Sequence, residues 1–131
     1  MTYRAVKLPG LKGKPLLLNF WAPWCGPCLA EFPTLQKLLN QYAGRLQIVA
    51  VAVQDARANV LSFVQKNPAY TFMFLTDPVM QDRDSPLLKY FGARGLPTSV
   101  FVSADGTIVD RWVGFDSETE LVQRIRQLMS K

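Results

Sequence analysis

The chain has 131 residues, 49% of them hydrophobic and 19% charged, with two cysteines, no histidine and a formal charge of +5 at neutral pH. That length and apolar fraction fit a single domain over residues 1–131 with one substantial core; no run approaches the roughly 20 apolar residues of a membrane span, and Met1-Thr2-Tyr3-Arg4 lacks the long apolar segment of a secretion signal. The excess positive charge comes partly from Arg4, Lys7, Lys12 and Lys14 near the start and Arg124, Arg126 and Lys131 near the end, not interleaved with aromatic residues as a nucleic-acid groove requires, so no nucleic-acid partner is expected.

In chain order the pattern alternates strand and helix, without internal repeats or low-complexity segments. A short extended segment at residues 3–8 leads through Pro9-Gly10 to an apolar strand at 16–20. A helix over about 26–42 places Leu29, Phe32, Leu35, Leu38, Leu39 and Tyr42 near one face, with an expected kink at Pro33. The valine- and isoleucine-rich run 46–53 reads as a central strand covered on both faces. Asp55 is placed to open a helix over 56–66, which Asn67-Pro68 stops. A strand at 71–75 follows, then a loop-sized polar interruption at 81–85 and a helix at 86–91 with Ser85 as cap and Pro86 in the first position. The last two strands, 98–102 and 107–113, form a hairpin across Ala104-Asp105-Gly106. A final helix starts at Ser117, with Glu120 completing a capping box, and buries Leu121, Val122, Ile125, Leu128 and Met129. Parallel strands first and an antiparallel hairpin last imply an α/β fold, a mixed sheet with helices on both faces.

Both cysteines lie in the run Trp21-Ala22-Pro23-Trp24-Cys25-Gly26-Pro27-Cys28, directly after the first apolar strand. Two thiols at that spacing can close a small disulfide across the first turn of a helix and reopen it without large movement of the fold, which points to a redox site. Structural zinc needs four N or S ligands, and covalent haem needs a histidine directly after the second cysteine, where Leu29 stands; neither a metal site nor a cofactor is expected. A purely structural disulfide would contribute little, because so short a loop removes little entropy from the unfolded chain. A non-catalytic copper-binding or chaperone module stays open, since thiols suit Cu(I), although no Met or His stands nearby.

Cys25, at the helix N-terminus, is expected to be exposed and readily ionised by the unpaired backbone N–H groups and the positive end of the helix dipole. Cys28, nearer the interior, is the expected second nucleophile, and Gly26 and Pro27 leave few groups to hinder a protein substrate. Glu31 follows Cys28 by three residues and projects near the same face; in partly apolar surroundings its pKa rises and it can take the proton from Cys28. The plain alternative is a solvated glutamate favoured by the dipole. Trp21 reads as core and Trp24 as a flank of the nucleophile, while Trp112, Phe72, Phe74 and Phe101 read as core or half-buried sheet residues.

Trp24-Cys25-Gly26-Pro27-Cys28 resembles the active site of the thioredoxin superfamily, Pro33 sits where that superfamily kinks its active-site helix, and Gly95-Leu96-Pro97-Thr98 is similar to its cis-proline loop. The motifs occur in order over nearly the whole chain. The longer run from Asn19 to Pro33, and the extra helix and strand between Val53 and Pro86, are more similar to the TlpA/ResA branch, bacterial thiol–disulfide proteins usually exported and often membrane-tethered. The resemblance implies a thioredoxin-like fold with a helix–strand insertion and an enzyme that exchanges its dithiol with protein disulfide substrates, as a reductant in envelope redox homeostasis or cytochrome c maturation; a monomer is expected, although the residues themselves do not decide association with another copy. The upstream reductant it implies is a DsbD-type membrane conduit, or thioredoxin reductase if the chain is a cytosolic-type thioredoxin. The implied location is periplasmic or exported and tethered, with the signal or anchor absent from this chain, and cytoplasmic in the alternative. A cis Leu96–Pro97 bond is also implied, with the Leu96 backbone open to a substrate strand and Trp24, Val113 and Gly114 lining the same groove.

Two departures stand out. Asn19 occupies the place of thioredoxin's buried aspartate and cannot accept a proton near neutral pH, so the acceptor must be another group. Only fifteen residues precede the active-site strand, fewer than is usual in the TlpA/ResA branch. A thiol peroxidase of the broader redoxin fold is disfavoured, because its Pro-x-x-x-Thr-x-x-Cys signature is absent: Ala22 stands three residues before Cys25.

Overall fold

The computed structural model describes residues 13–77 and 85–131, so the segment expected at 3–8 and most of the polar interruption at 81–85 lie outside the described residues. The elements are β1 (Leu16–Trp21), α1 (Gly26–Gln41), β2 (Gln47–Ala52), α2 (Arg57–Lys66), β3 (Met73–Thr76), α3 (Pro86–Phe91), β4 (Thr98–Val102), β5 (Ile108–Val113) and α4 (Glu118–Met129). The strands form one sheet in the order β3-β2-β1-β4-β5. β1 pairs in parallel with β2 and β2 with β3, whereas β1–β4 and β4–β5 are antiparallel. This is the mixed α/β sheet that the order of elements implied.

Side chains of a strand alternate between the two faces of its sheet, and here the alternation sorts the core into two layers. Leu16, Leu18 and Phe20 of β1 join Val49, Val51, Val100 and Val102 beneath Leu88 and Phe91 of α3. Leu17 and Trp21 join Ile48, Ala50 and Phe101 on the other face, covered by α1, α2 and α4 through residues such as Phe32, Leu35, Val60, Leu121 and Ile125. All six residues of β1 are buried, because the strand has neighbours on both sides and helices on both faces. The same alternation turns Asn19 toward the α1 layer, and Ser99, its partner across the antiparallel β1–β4 ladder, turns the same way. Both are wholly buried.

Phe32 of α1 joins the inserted α2–β3 unit to the rest of the fold. Its ring meets those of Trp21, Phe63, Tyr70, Phe72 and Phe74 at centroid distances of 4.9–5.9 Å, mostly edge to face. A second tie comes from Gln36 of α1, whose amide donates to the Thr71 hydroxyl at 2.8 Å while its carbonyl accepts the Thr71 N–H at 2.8 Å. With that N–H engaged by α1, the third strand pairs with β2 only from Met73, two residues later than the expected start at Thr71.

Two expected caps take another form. Asp55 accepts hydrogen bonds from the Ala56 N–H at 2.6 Å and the Asn59 amide at 2.7 Å, but the residue capping α2 is Ala56. Ser117 caps α4 by accepting the Glu120 N–H at 3.1 Å, yet the Glu120 carboxylate does not complete the capping box; it bonds Arg124 instead. Arg124 also holds both carboxylate oxygens of Asp110 on β5, at 2.8 and 2.9 Å, and lies over the Trp112 ring, so this guanidinium draws Glu120 away from the helix end.

Truncating Phe32 to alanine removes one partner from five ring contacts in a layer that cannot fully collapse. The expected loss is about 3–5 kcal/mol in urea unfolding with an unchanged m-value. A loss below about 1 kcal/mol would contradict the central place given to this ring.

Candidate active site

The chain leaves β1 at Trp21 and turns directly into α1, with Cys25 as the N-cap in extended conformation. The Cys25 N–H donates to the Ala22 carbonyl at 3.0 Å, its carbonyl accepts the Leu29 N–H at 3.2 Å, and its sulfur accepts the Cys28 N–H at 3.2 Å. Gly26 and Pro27 follow in the first two helical positions; Pro27 brings no N–H, so the helix start has one fewer donor to satisfy. No acidic residue stands in the first turn to oppose a negative charge on sulfur.

Cys25 and Cys28 are joined by a disulfide, with their Cα atoms 5.3 Å apart. The expectation that Cys25 is exposed is corrected in this oxidised form: only 4% of its surface is accessible, against none for Cys28. The N-cap side chain folds back over the first turn, where it both accepts the Cys28 N–H and bonds to the Cys28 sulfur, and this leaves Gly26 and Pro27 at the surface in its place.

Trp24 is 60% exposed, and its indole N–H donates to the backbone carbonyl of Gln54 at 2.9 Å. Gln54 has φ = 55°, in the left-handed region that non-glycine residues seldom occupy, as the chain leaves β2. Sequence reading missed this residue, since nothing in a glutamine announces such a conformation. Trp21, by contrast, is fully buried, as its core assignment requires.

The Leu96–Pro97 bond is cis. Because Phe20 of β1 pairs with Thr98, the Pro97 loop lies at the end of the sheet from which the chain runs on to Cys25. The Pro97 carbonyl accepts the Gly114 N–H at 2.7 Å, and the Thr98 hydroxyl donates to the Gly95 carbonyl at 2.5 Å. Gly114 has φ = +90°, which suits only glycine, and a Cβ on Gly95 would stand 3.2 Å from a methyl of Val113, itself 52% exposed. Leu96 precedes the start of the β4 ladder.

Glu31 is fully buried on α1, three residues after Cys28, where a partly apolar setting was expected. The Asn19 amide donates to its Oε1 at 2.6 Å. Among the described residues Oε2 has no hydrogen-bond partner, and neither do the side-chain carbonyl of Asn19, the indole N–H of Trp21 and the hydroxyl of Ser99. Burial raises the Glu31 pKa from 4.5 to about 7, because a carboxylate there loses its hydration; Asn19, and more weakly Ser99, pull the other way. Ser99 was not singled out from the sequence, although a serine beside the apolar run Val100-Phe101-Val102 was a visible signal.

A family model described as redoxin matches residues 3–127. The chain belongs to the redoxin family. Thiol-disulfide oxidoreductase ResA of Bacillus thuringiensis (strain Al Hakam) is 29% identical to this redoxin over 126 residues, which span 95% of the chain and 69% of that protein. Among solved structures, a thiol:disulfide interchange protein DsbE from Chlorobium tepidum matches with a TM-score of 0.82 at 30% identity, over 95% of this chain and 86% of that one. A secreted Mycobacterium tuberculosis disulfide oxidoreductase homologous to E. coli DsbE matches with a TM-score of 0.72 at 31% identity, over 92% and 86% of the two chains. The redoxin is thus an oxidoreductase of the TlpA/ResA-like branch of the thioredoxin superfamily.

The raised pKa makes the stability of this redoxin depend on pH. Between 4.5 and about 7 the folded protein keeps on Glu31 a proton that the unfolded chain releases, so this contribution is fully present below pH 4.5 and is lost as pH rises to about 7. The expected decline is roughly 3 kcal/mol. In Glu31→Gln, urea unfolding of the oxidised protein across this range should show the decline abolished; an identical slope in both proteins would place the titration elsewhere.

Proposed function

We propose that this redoxin is a thiol–disulfide oxidoreductase that reduces protein disulfides through Cys25 and Cys28. The observation that carries the reading is the pairing of a disulfide at the start of α1 with a buried carboxyl of near-neutral pKa on the next turn. Cys25, as N-cap, is the nucleophile: once reduced, its thiolate is stabilised by the N–H of Cys28 and by the helix dipole. It attacks a partner disulfide, forming a Cys25–partner bond and releasing the partner's other sulfur as a thiolate.

Cys28 then passes its proton to Glu31 and attacks the Cys25 sulfur, which expels the second partner thiolate and closes the Cys25–Cys28 disulfide. Two electrons move to the partner, and an upstream dithiol must return them before the next cycle. The residues assigned to the substrate groove are Trp24, Gly26, Pro27, Leu96, Pro97 and Gly114. Supporting that assignment are the exposed indole of Trp24, the exposed Gly26-Pro27 turn, and a Leu96 backbone that lies beyond the ladder and can pair with an extended substrate strand.

The resemblance to TlpA/ResA proteins supports the finer reading: the reductant of cysteine pairs in proteins that take up haem or copper, outside the cytoplasm, replenished by a DsbD-type membrane conduit. The secreted M. tuberculosis relative supports an exported location. Among the described residues no helix is long and apolar enough to cross a membrane.

With the disulfides of insulin as substrate, reduced Cys28→Ser is expected to accumulate a stable mixed disulfide on Cys25, seen by mass spectrometry and cleared by added dithiol, while Cys25→Ser forms none. Trapping through Cys28 in place of Cys25 would reverse the assigned roles. In Glu31→Gln, resolution of a preformed mixed disulfide at pH 7 should slow by about 10²-fold and lose its inflection near pH 7, measured by stopped-flow release of the partner thiol. An unchanged rate profile would remove Glu31 from the proton path.

A further inference from the structure

The buried surroundings of Glu31 are incompletely satisfied. A carboxyl group has two oxygens to accommodate, and only Oε1 has a partner, the amide of Asn19. Oε2 is buried without one. From β4, directly across the ladder from Asn19 and facing the same layer, comes the Ser99 hydroxyl, equally buried, near enough to favour the charged carboxylate but outside hydrogen-bond geometry with any described residue. Buried polar atoms are almost always paired, because an orphan retains the full cost of its desolvation. Four buried side-chain atoms of the described residues lack a partner, the acceptors Oε2 of Glu31 and the Asn19 carbonyl and the donors Ser99 hydroxyl and Trp21 indole N–H; of the two donors, Ser99 is the one set directly opposite Asn19, which already holds the carboxyl at Oε1. A hydroxyl can serve both protonation states, since it donates to a carboxylate and accepts from a carboxylic acid, whereas a methyl group can do neither.

We propose that Ser99 is a positioning residue for Glu31, its hydroxyl serving as the second partner of the carboxyl group at Oε2, opposite Asn19 at Oε1. The proposal deepens the assignment of Glu31 as the proton acceptor for Cys28 and, in its kinetic part, rests on it. Among the described residues, the other elements of this layer offer no competing charge. Asn19 and Ser99, which face it from β1 and β4, do not titrate near neutral pH; α2 and α4 bring Val60, Leu121, Ile125 and Leu128 to this layer; and Lys37 of α1 pairs with Glu118 of α4 at the surface. Cys25 and Cys28 are the ionisable groups nearest it on its own helix once the disulfide is reduced. Because a donating hydroxyl favours the charged carboxylate, its removal should raise the pH at which Glu31 ionises.

The chain has three glutamates, Glu31, Glu118 and Glu120, so 13C labelling of glutamate carboxyls gives a spectrum simple enough to follow each one in the full-length oxidised protein, with Glu31→Gln identifying the signal. In Ser99→Ala the Glu31 midpoint should rise by about 0.5–1 pH unit, and Ser99→Thr, which keeps the hydroxyl, should restore it. Ser99→Val, β-branched and suited to a strand, provides a second hydroxyl-free variant should the alanine protein fold poorly. Midpoints unmoved in both alanine and valine variants, or a threonine variant that behaves like valine, would overturn the proposal. The rate profile of mixed-disulfide resolution is read on the same proteins. A moved carboxyl midpoint with a matching shift in the rate profile is the expected result; a moved midpoint with an unmoved rate profile upholds Ser99 as the partner of Glu31 and overturns Glu31 as the proton acceptor.

Discussion

Burial of the Glu31 carboxyl on the first turns of α1 is the constraint on which the proposed proton path depends. A carboxylate removed from water is strongly disfavoured unless its oxygens are paired, and here Asn19 supplies a close hydrogen bond to one oxygen only. The group is therefore held near the point where it is equally content with and without its proton, at a pKa of about 7. Several features of the fold are needed to achieve this. The central strand must be covered on both faces, the alternation along β1 must turn Asn19 toward α1, and the β1–β4 register must set Ser99 beside it. A shift of one residue in that register would turn Ser99 to the α3 layer and set Thr98 or Val100 opposite Asn19 in its place.

The same few residues connect the end of β1 to the chemistry. Trp21 ends the strand in the core, while Cys25 starts the helix with its sulfur bonded to the N–H of Cys28, so one short turn converts a buried strand into an anion-stabilising helix start. The α2–β3 insertion is held through Phe32 beside Trp21 and through Gln36 at the opposite end of the sheet, and the return of the chain after β2 provides Gln54, whose carbonyl fixes the indole of the exposed Trp24. What would otherwise be a mobile aromatic beside the cysteines is tethered at its N–H and open on its faces.

Much of this was legible in the residues. Apolar runs and turn residues located most strands and helices to within a residue or two, since the periods of burial differ between helix and strand. The spacing of Cys25 and Cys28 after an apolar strand identified the redox pair. The exceptions have a common cause: the late start of β3 depends on the reach of Gln36 from another element, and the open capping box at Ser117 depends on Arg124 being held by Asp110. Both are outcomes of competition between partners distant in sequence, which local patterns do not contain.

What the sequence by itself determined is the order of elements, the pair of thiols at a helix start, and a glutamate one turn beyond them, because each follows from spacing and residue type along a short stretch of chain. The tertiary structure alone decided that Cys25 folds inward in the disulfide form, that Gln54 bends to receive Trp24, and that Asn19, Glu31 and Ser99 share one buried layer. The physical reason is that desolvation and hydrogen-bond pairing arise from groups brought together across the β1–β4 ladder and the face of α1, and a carboxyl's affinity for its proton is a property of that enclosure rather than of the residue.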